Sequence, residues 1–86
     1  MYCIFSFKSR QEAMRLYDVA KRNNVCVMLV STPKFVSQGC GLSVKTSVEN
    51  YANLYSVFVS LRFSSFIGAY RVREVNGMIR SEKILY

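Results

Sequence analysis

YCIFSFKSRQEAMRLYDVAKRN, residues 2–23, carries the chain from an extended segment into a helix, and the join between them sets the fold. Residues 2–7 are mostly β-branched or aromatic, with apolar side chains on both faces, which is the composition of a strand. Ser9 follows, and Glu12 lies three residues on, the spacing of a capping box that opens a helix. Ala13, Leu16, Tyr17 and Ala20 then recur at i, i+3, i+4 and i+7, giving one apolar stripe. Lys21 and Arg22 suit the negative end of the helix dipole, and Asn23-Asn24 supplies a left-handed stop. The helix is predicted over residues 10–23.

The pattern recurs downstream. Residues 25–31 form a continuous apolar run, typical of a strand buried on both faces. Residues 32–41 read as a loop with room for one turn at 34–37, and residues 42–45 as a short strand. Thr46 and Glu49 repeat the capping-box spacing. Leu54, Val57, Phe58 and Leu61 repeat the helical stripe, which predicts a second helix over residues 48–62. Residues 66–75 alternate as a strand, and Asn76-Gly77 is a two-residue hairpin signal. A last strand at 78–81 then folds back, leaving 82–86 as a tail.

The order is β-α-β-β-α-β. Two β-α-β units predict an α+β ferredoxin-like sandwich with an optional extra C-terminal β-hairpin. One domain spans residues 1–86, with 1–73 as its core and 74–86 as hairpin or tail. In that architecture both helices cover one sheet face. The first strand is apolar on both faces, Tyr2 and Ile4 against Cys3, Phe5 and Phe7. A second copy of the chain is therefore expected over the open sheet face, as a homodimer.

Composition narrows the chemistry. Eighty-six residues with 51% hydrophobic side chains suffice for one thin core. The stretch 51–70 is interrupted by Arg62 and four serines, so no membrane span is expected; the opening apolar run ends at Lys8, too short to read as a signal peptide, and a cytoplasmic location is expected. Three cysteines with no C-x-x-C, and no histidine, leave no basis for a disulfide scaffold, a structural zinc site or a histidine-based triad. No cofactor or metal is expected. The net charge of +7 serves solubility, or else asks for an acidic partner.

The most unusual stretch is Pro33-Lys34-Phe35-Val36-Ser37-Gln38-Gly39-Cys40-Gly41. Half of the chain's four glycines flank one cysteine. Gly39 and Gly41 permit positive φ and close backbone approach, which allows the Cys40 thiol to be bare and ringed by N–H groups. Such groups stabilise a thiolate, as does a cation, for which Lys34 and Lys45 are near in sequence. A thiolate attacks, carries a sulfur atom or binds a soft metal. Cys3 and Cys26 fall inside apolar runs and read as core. Pairing of Cys26 with Cys40 is disfavoured by their separation along the chain.

Proline, Lys34, Ser37 and Cys40-Gly41, followed by a short strand and a helix, resemble the selenium/sulfur carrier-like family of small bacterial proteins. The opening, an aromatic strand running through Phe5-Ser6-Phe7 into Ser9 and Glu12-Ala13, is similar to that family's start. The resemblance covers residues 2–72. It implies that Cys40 is the carrier atom, holding sulfur or selenium as a persulfide-type adduct, with Lys34 steadying the anion. It also implies donor and acceptor proteins as partners, and a place in a transfer relay rather than turnover of a substrate alone. Gly39 stands where that family is expected to have a small polar residue.

The alternative is a ferredoxin-like binding or regulatory module, for RNA or protein, without chemistry of its own. Tyr2, Phe5 and Phe7 offer aromatics on a sheet, but residues 42–45 carry none of the RNP pattern, so nucleic acid ranks behind. A membrane-surface role fails because the polar side of the second helix carries Arg62 alone.

Overall fold

β1 (Tyr2–Phe7) lies at the centre of one antiparallel sheet, flanked by β3 (Leu42–Ser47) and β4 (Phe66–Val75). β2 (Met28–Ser31) pairs outside β3, and β5 (Met78–Leu85) outside β4, giving the order β2-β3-β1-β4-β5. With helices α1 (Arg10–Arg22) and α2 (Tyr51–Val59) the fold is mixed α+β. A fifth strand sets the order apart from a simple four-stranded ferredoxin-like sheet. This computed structural model describes residues 1–36 and 41–85.

Register divides the side chains of the sheet between its faces. Phe5 lies opposite Val44 on β3 and Ala69 on β4. These, with Phe7, pack against Ala13, Leu16 and Ala20 of α1 and Leu54 of α2 in the main core. Phe58 of α2 fills the rest, its ring 4.5 Å from Phe66, 5.3 Å from Phe5 and 5.6 Å from Phe63. Aromatic pairs at such separations add to the area they bury.

α1 begins where the serine cap predicts. Ser9 is extended and its hydroxyl accepts from the Glu12 N–H. The box is not closed in the usual way, however. Glu12 turns outward and accepts from the N–H and hydroxyl groups of Ser64 and Ser65, while the Ser9 N–H goes to Ser65 Oγ at 3.0 Å. The capping carboxylate thus ties the helix to the segment entering β4. Asn24 makes the left-handed stop at φ 62°.

Four expected elements are corrected, the first being β3, which runs to Ser47 rather than stopping at 45. β2 starts at Met28, not 25, although Val25 and Val27 are buried ahead of it. The second cap is Ser47, whose hydroxyl accepts from the Asn50 N–H, and a 3-10 turn (Val48–Asn50) precedes α2. Thr46 is instead a buried β3 residue that donates to the Cys26 carbonyl at 2.9 Å. α2 ends at Val59, short of 62. The final hairpin does join the sheet, and β5 runs to Leu85 rather than stopping at 81. Asn76 and Gly77 both have positive φ, 52° and 77°, as a type I′ turn requires.

The sheet face away from the helices is less bare than the sequence implies. Ile4 and Val72 lie on it, outside the main core, yet are 0% and 2% exposed. Tyr2, Tyr70, Lys45 and Lys83 share that face in register with them. The Lys45 ammonium stands over the Tyr2 ring at 4.3 Å and that of Lys83 over Tyr70 at 5.8 Å. Long side chains that bury their stems and keep their charges outermost cover apolar surface in this way.

Candidate functional site

The cysteine loop leaves the sheet after β2 and returns at β3, and its two ends are clasped. The Thr32 N–H donates to the Gly41 carbonyl at 3.2 Å, closing the loop between them. Within it, the Val36 N–H donates to the Pro33 carbonyl at 3.0 Å, so the predicted turn is present at residues 34–36. Lys34 lies on that turn with its side chain exposed. Gly39 and Cys40 lie outside the described residues; Gly41 is the nearest described neighbour of the candidate thiol.

Gly41 is a glycine for a packing reason. A Cβ there would stand 2.7 Å from the Phe7 carbonyl oxygen and 3.2 Å from Thr32 Oγ1. The first contact is with backbone, which cannot swing aside. The loop therefore returns to the sheet pressed against the last residue of β1.

Beside this clasp runs a chain of hydroxyls. Thr32 Oγ1 lies 3.0 Å from Ser43 Oγ, which lies 2.8 Å from Ser6 Oγ. Ser6 and Ser43 are fully buried, so each hydroxyl needs the other. Three hydroxyls joined by two hydrogen bonds form a polar spine from the centre of the sheet to the loop base. The residue pattern gives no hint of it, because serine in a strand signals nothing by itself; only the register that sets Ser6 opposite Ser43 does.

The other cysteines separate. Cys3 is buried, and desolvation pushes its thiol up, an effect that Arg71 partly offsets. Cys26, expected in the core, is exposed. It lines a cavity of about 290 Å³ with Met1, Tyr2, Met28 and Lys45. Its neighbours Val25 and Val27 point inward, and alternation turns Cys26 outward. Its carbonyl is held by Thr46, four residues along β3 from Leu42 at the loop end, a separation of about 13 Å at the usual strand rise. Cys26 and Gly41, at the base of the cysteine loop, thus lie toward opposite ends of β3. Among the described residues no group of acidic and sulfur side chains is arranged to hold a metal ion, and no helix is long and apolar enough to cross a membrane.

A small α+β sheet with a glycine-flanked cysteine loop between its second and third strands defines the class of protein. The family model described as "Putative Se/S carrier protein-like" matches residues 2–60, and the chain belongs to that family. The match spans β1 through α2 and includes the cysteine loop; β4 and β5 lie beyond it. No curated protein and no solved structure matches the chain.

Proposed function

We propose that the protein is a sulfur or selenium carrier that holds the chalcogen on Cys40. The observation that carries this reading is the family match across residues 2–60, which contains Cys40 in its glycine setting. The closed loop base at Thr32 and Gly41 supports it, since a short clasped loop limits how a thiol beside Gly41 can be presented. Exposed Lys34 is the cation on the same loop that would steady an anion. Loading follows ordinary thiol exchange. The Cys40 thiolate attacks the outer sulfur of a donor persulfide, R–S–SH. The new S–S bond forms on Cys40 as the donor's breaks, and its electron pair leaves on the donor as R–S⁻. No net oxidation occurs, and delivery to an acceptor thiolate is the same step run outward. A selenium atom in the outer position follows the same course.

The finer fold reading goes with it. We infer that β2-β3-β1-β4 with the two helices is a ferredoxin-like frame, to which β5 is an added edge. Donor and acceptor proteins are its partners in this reading, and the cytoplasm is the compartment that keeps such a thiol reduced. A second copy over the open sheet face is less favoured than the sequence implies, because Ile4 and Val72 are already covered and that face presents Lys45 and Lys83.

The test is alkylation of each cysteine against pH, followed by loading from a small-molecule persulfide, both read by mass spectrometry. The expected result is a Cys40 profile centred well below the free-thiol value of about 8.5, and gain of one sulfur atom on the Cys40 peptide. Lys34→Met should move the profile upward. Sulfur appearing on Cys26 instead, or on no cysteine, rejects Cys40 as the carrier; a binding module without chemistry then becomes the better account.

A further inference from the structure

Beyond residue 72 the sheet narrows to the two-stranded β4–β5 ribbon, and residues 73–82 are exposed. Register puts Arg71 opposite Glu82 and Arg73 opposite Arg80, so these four side chains share one face. The first pair is an ion pair at 2.6 Å. The second sets two guanidiniums on directly opposed positions, an arrangement that destabilises a strand pair. Among the described residues neither Arg73 nor Arg80 has a carboxylate partner. Glu74, next along β4, pairs with Ile79 on the other face. Here the ribbon opens a cavity of about 260 Å³ lined by Arg71, Arg73, Arg80, Ser81 and Glu82.

We propose that this cavity is an oxyanion site that takes a phosphate group between Arg73 and Arg80. A guanidinium offers planar, paired N–H donors that match phosphate oxygens two at a time. Two such forks from facing strands converge on the cavity, while Glu82 occupies the third by holding Arg71. An anion seated between Arg73 and Arg80 turns their repulsion into a bridge. Tyr2 pairs with Val72 and Phe7 with Phe66, so the site lies at the opposite end of β1 from the cysteine loop. It also lies outside the family match, and it does not rest on the carrier reading.

The experiment is a titration of the intact chain with inorganic phosphate and then pyrophosphate, followed by backbone amide NMR. Saturable shifts confined to residues 71–73 and 80–82 are expected. Arg73→Gln and Arg80→Gln should each weaken binding at least tenfold, whereas Arg15→Gln on α1 should not. Thermal melts supply a second readout that does not depend on knowing the ligand. Without phosphate, Arg80→Gln should melt at or above the wild type, because a repulsion is gone. Added phosphate should raise the wild-type midpoint and leave that of Arg80→Gln unmoved. Shifts that never saturate, or that survive in the double variant, overturn the site; so does a lower midpoint for Arg80→Gln without phosphate. A short single-stranded oligonucleotide forms the last arm. Tighter binding than pyrophosphate, lost in both arginine variants, assigns the phosphate to a polymer backbone. Binding no tighter than pyrophosphate assigns it to a small molecule. Tight oligonucleotide binding retained by the variants counts against the site.

Discussion

Gly41 concentrates the constraint at the loop base in one missing methyl group. A Cβ at 2.7 Å from the Phe7 carbonyl oxygen must push β1 and β3 apart where the loop is clasped. Gly41→Ala is therefore expected to cost about 1–3 kcal/mol, the usual range for overpacking, seen as a lower urea midpoint. An unchanged midpoint would mean that the clasp yields freely. The hydroxyl spine makes a sharper prediction, because Ser43 bonds both neighbours. Ser43→Ala leaves the buried Ser6 hydroxyl unpaired and should cost about 1–3 kcal/mol. The double variant Ser6→Ala/Ser43→Ala should recover part of that, which a chemical-denaturation cycle measures. Sequence marks the glycine-flanked cysteine and Lys34, because those residue types are rare and local. It misplaces Cys26, since Val25, Cys26, Val27 and Met28 are all apolar, and a uniform run conceals the alternation that turns Cys26 and Met28 outward. Native-state alkylation should accordingly modify Cys26 readily and leave Cys3 untouched until the protein unfolds.

Between elements, the Glu12 carboxylate joins the first turn of α1 to the two residues leading into β4. Hydrogen bonds from Ser65 and Ser64 hold its carboxyl down at about 2, against an ordinary 4.5. A depressed carboxylate stabilises the fold above its unfolded value, and that contribution disappears as the pH falls through the folded one. Stability should thus decline between about pH 4.5 and 2, and Glu12→Gln should lower the melting midpoint at pH 7 and flatten that acid limb. Equal acid sensitivity in the two proteins would assign the loss to other carboxylates. The serine–glutamate spacing predicts the helix start but not the partner of Glu12, because Ser64 and Ser65 are 52 and 53 residues away and only the tertiary fold brings them there. The two helices differ in legibility for a related reason. α1 alternates polar and apolar faces, so its stripe and both ends can be read. α2 is apolar on most sides, with Tyr55 and Val59 exposed beside buried Leu54; its start and stop therefore have no contrast to mark them.

For the whole molecule, the sheet order makes β4 an interior strand only because β5 covers its outer edge. Asn76-Gly77 marks the turn in the sequence, but how far the returning strand pairs is decided by contacts far from the turn. Ile84 and Leu85 reach back to pack against the main core, past the shift in register between Ala69 and Tyr70, and this draws β5 four residues beyond the predicted end. The polar stretch 80–83 conceals that extension, because an exposed ribbon lacks the burial that alternation reports. If β5 belongs to the cooperative unit, a chain ending at Gly77 loses two core contacts and the pairing of β4 together. A thin core supplies only about 3–5 kcal/mol at this size. The shortened chain should consequently lose its cooperative urea transition, or shift it far toward zero denaturant. A transition near the full-length midpoint would show that residues 2–75 hold the fold alone, with β5 serving only to carry Arg80 opposite Arg73. The double variant Ile84→Ser/Leu85→Ser separates these roles. It keeps the arginine pair and the turn and removes only the packing, so stability should fall while phosphate-induced shifts at residues 71–73 persist in the fraction that is folded.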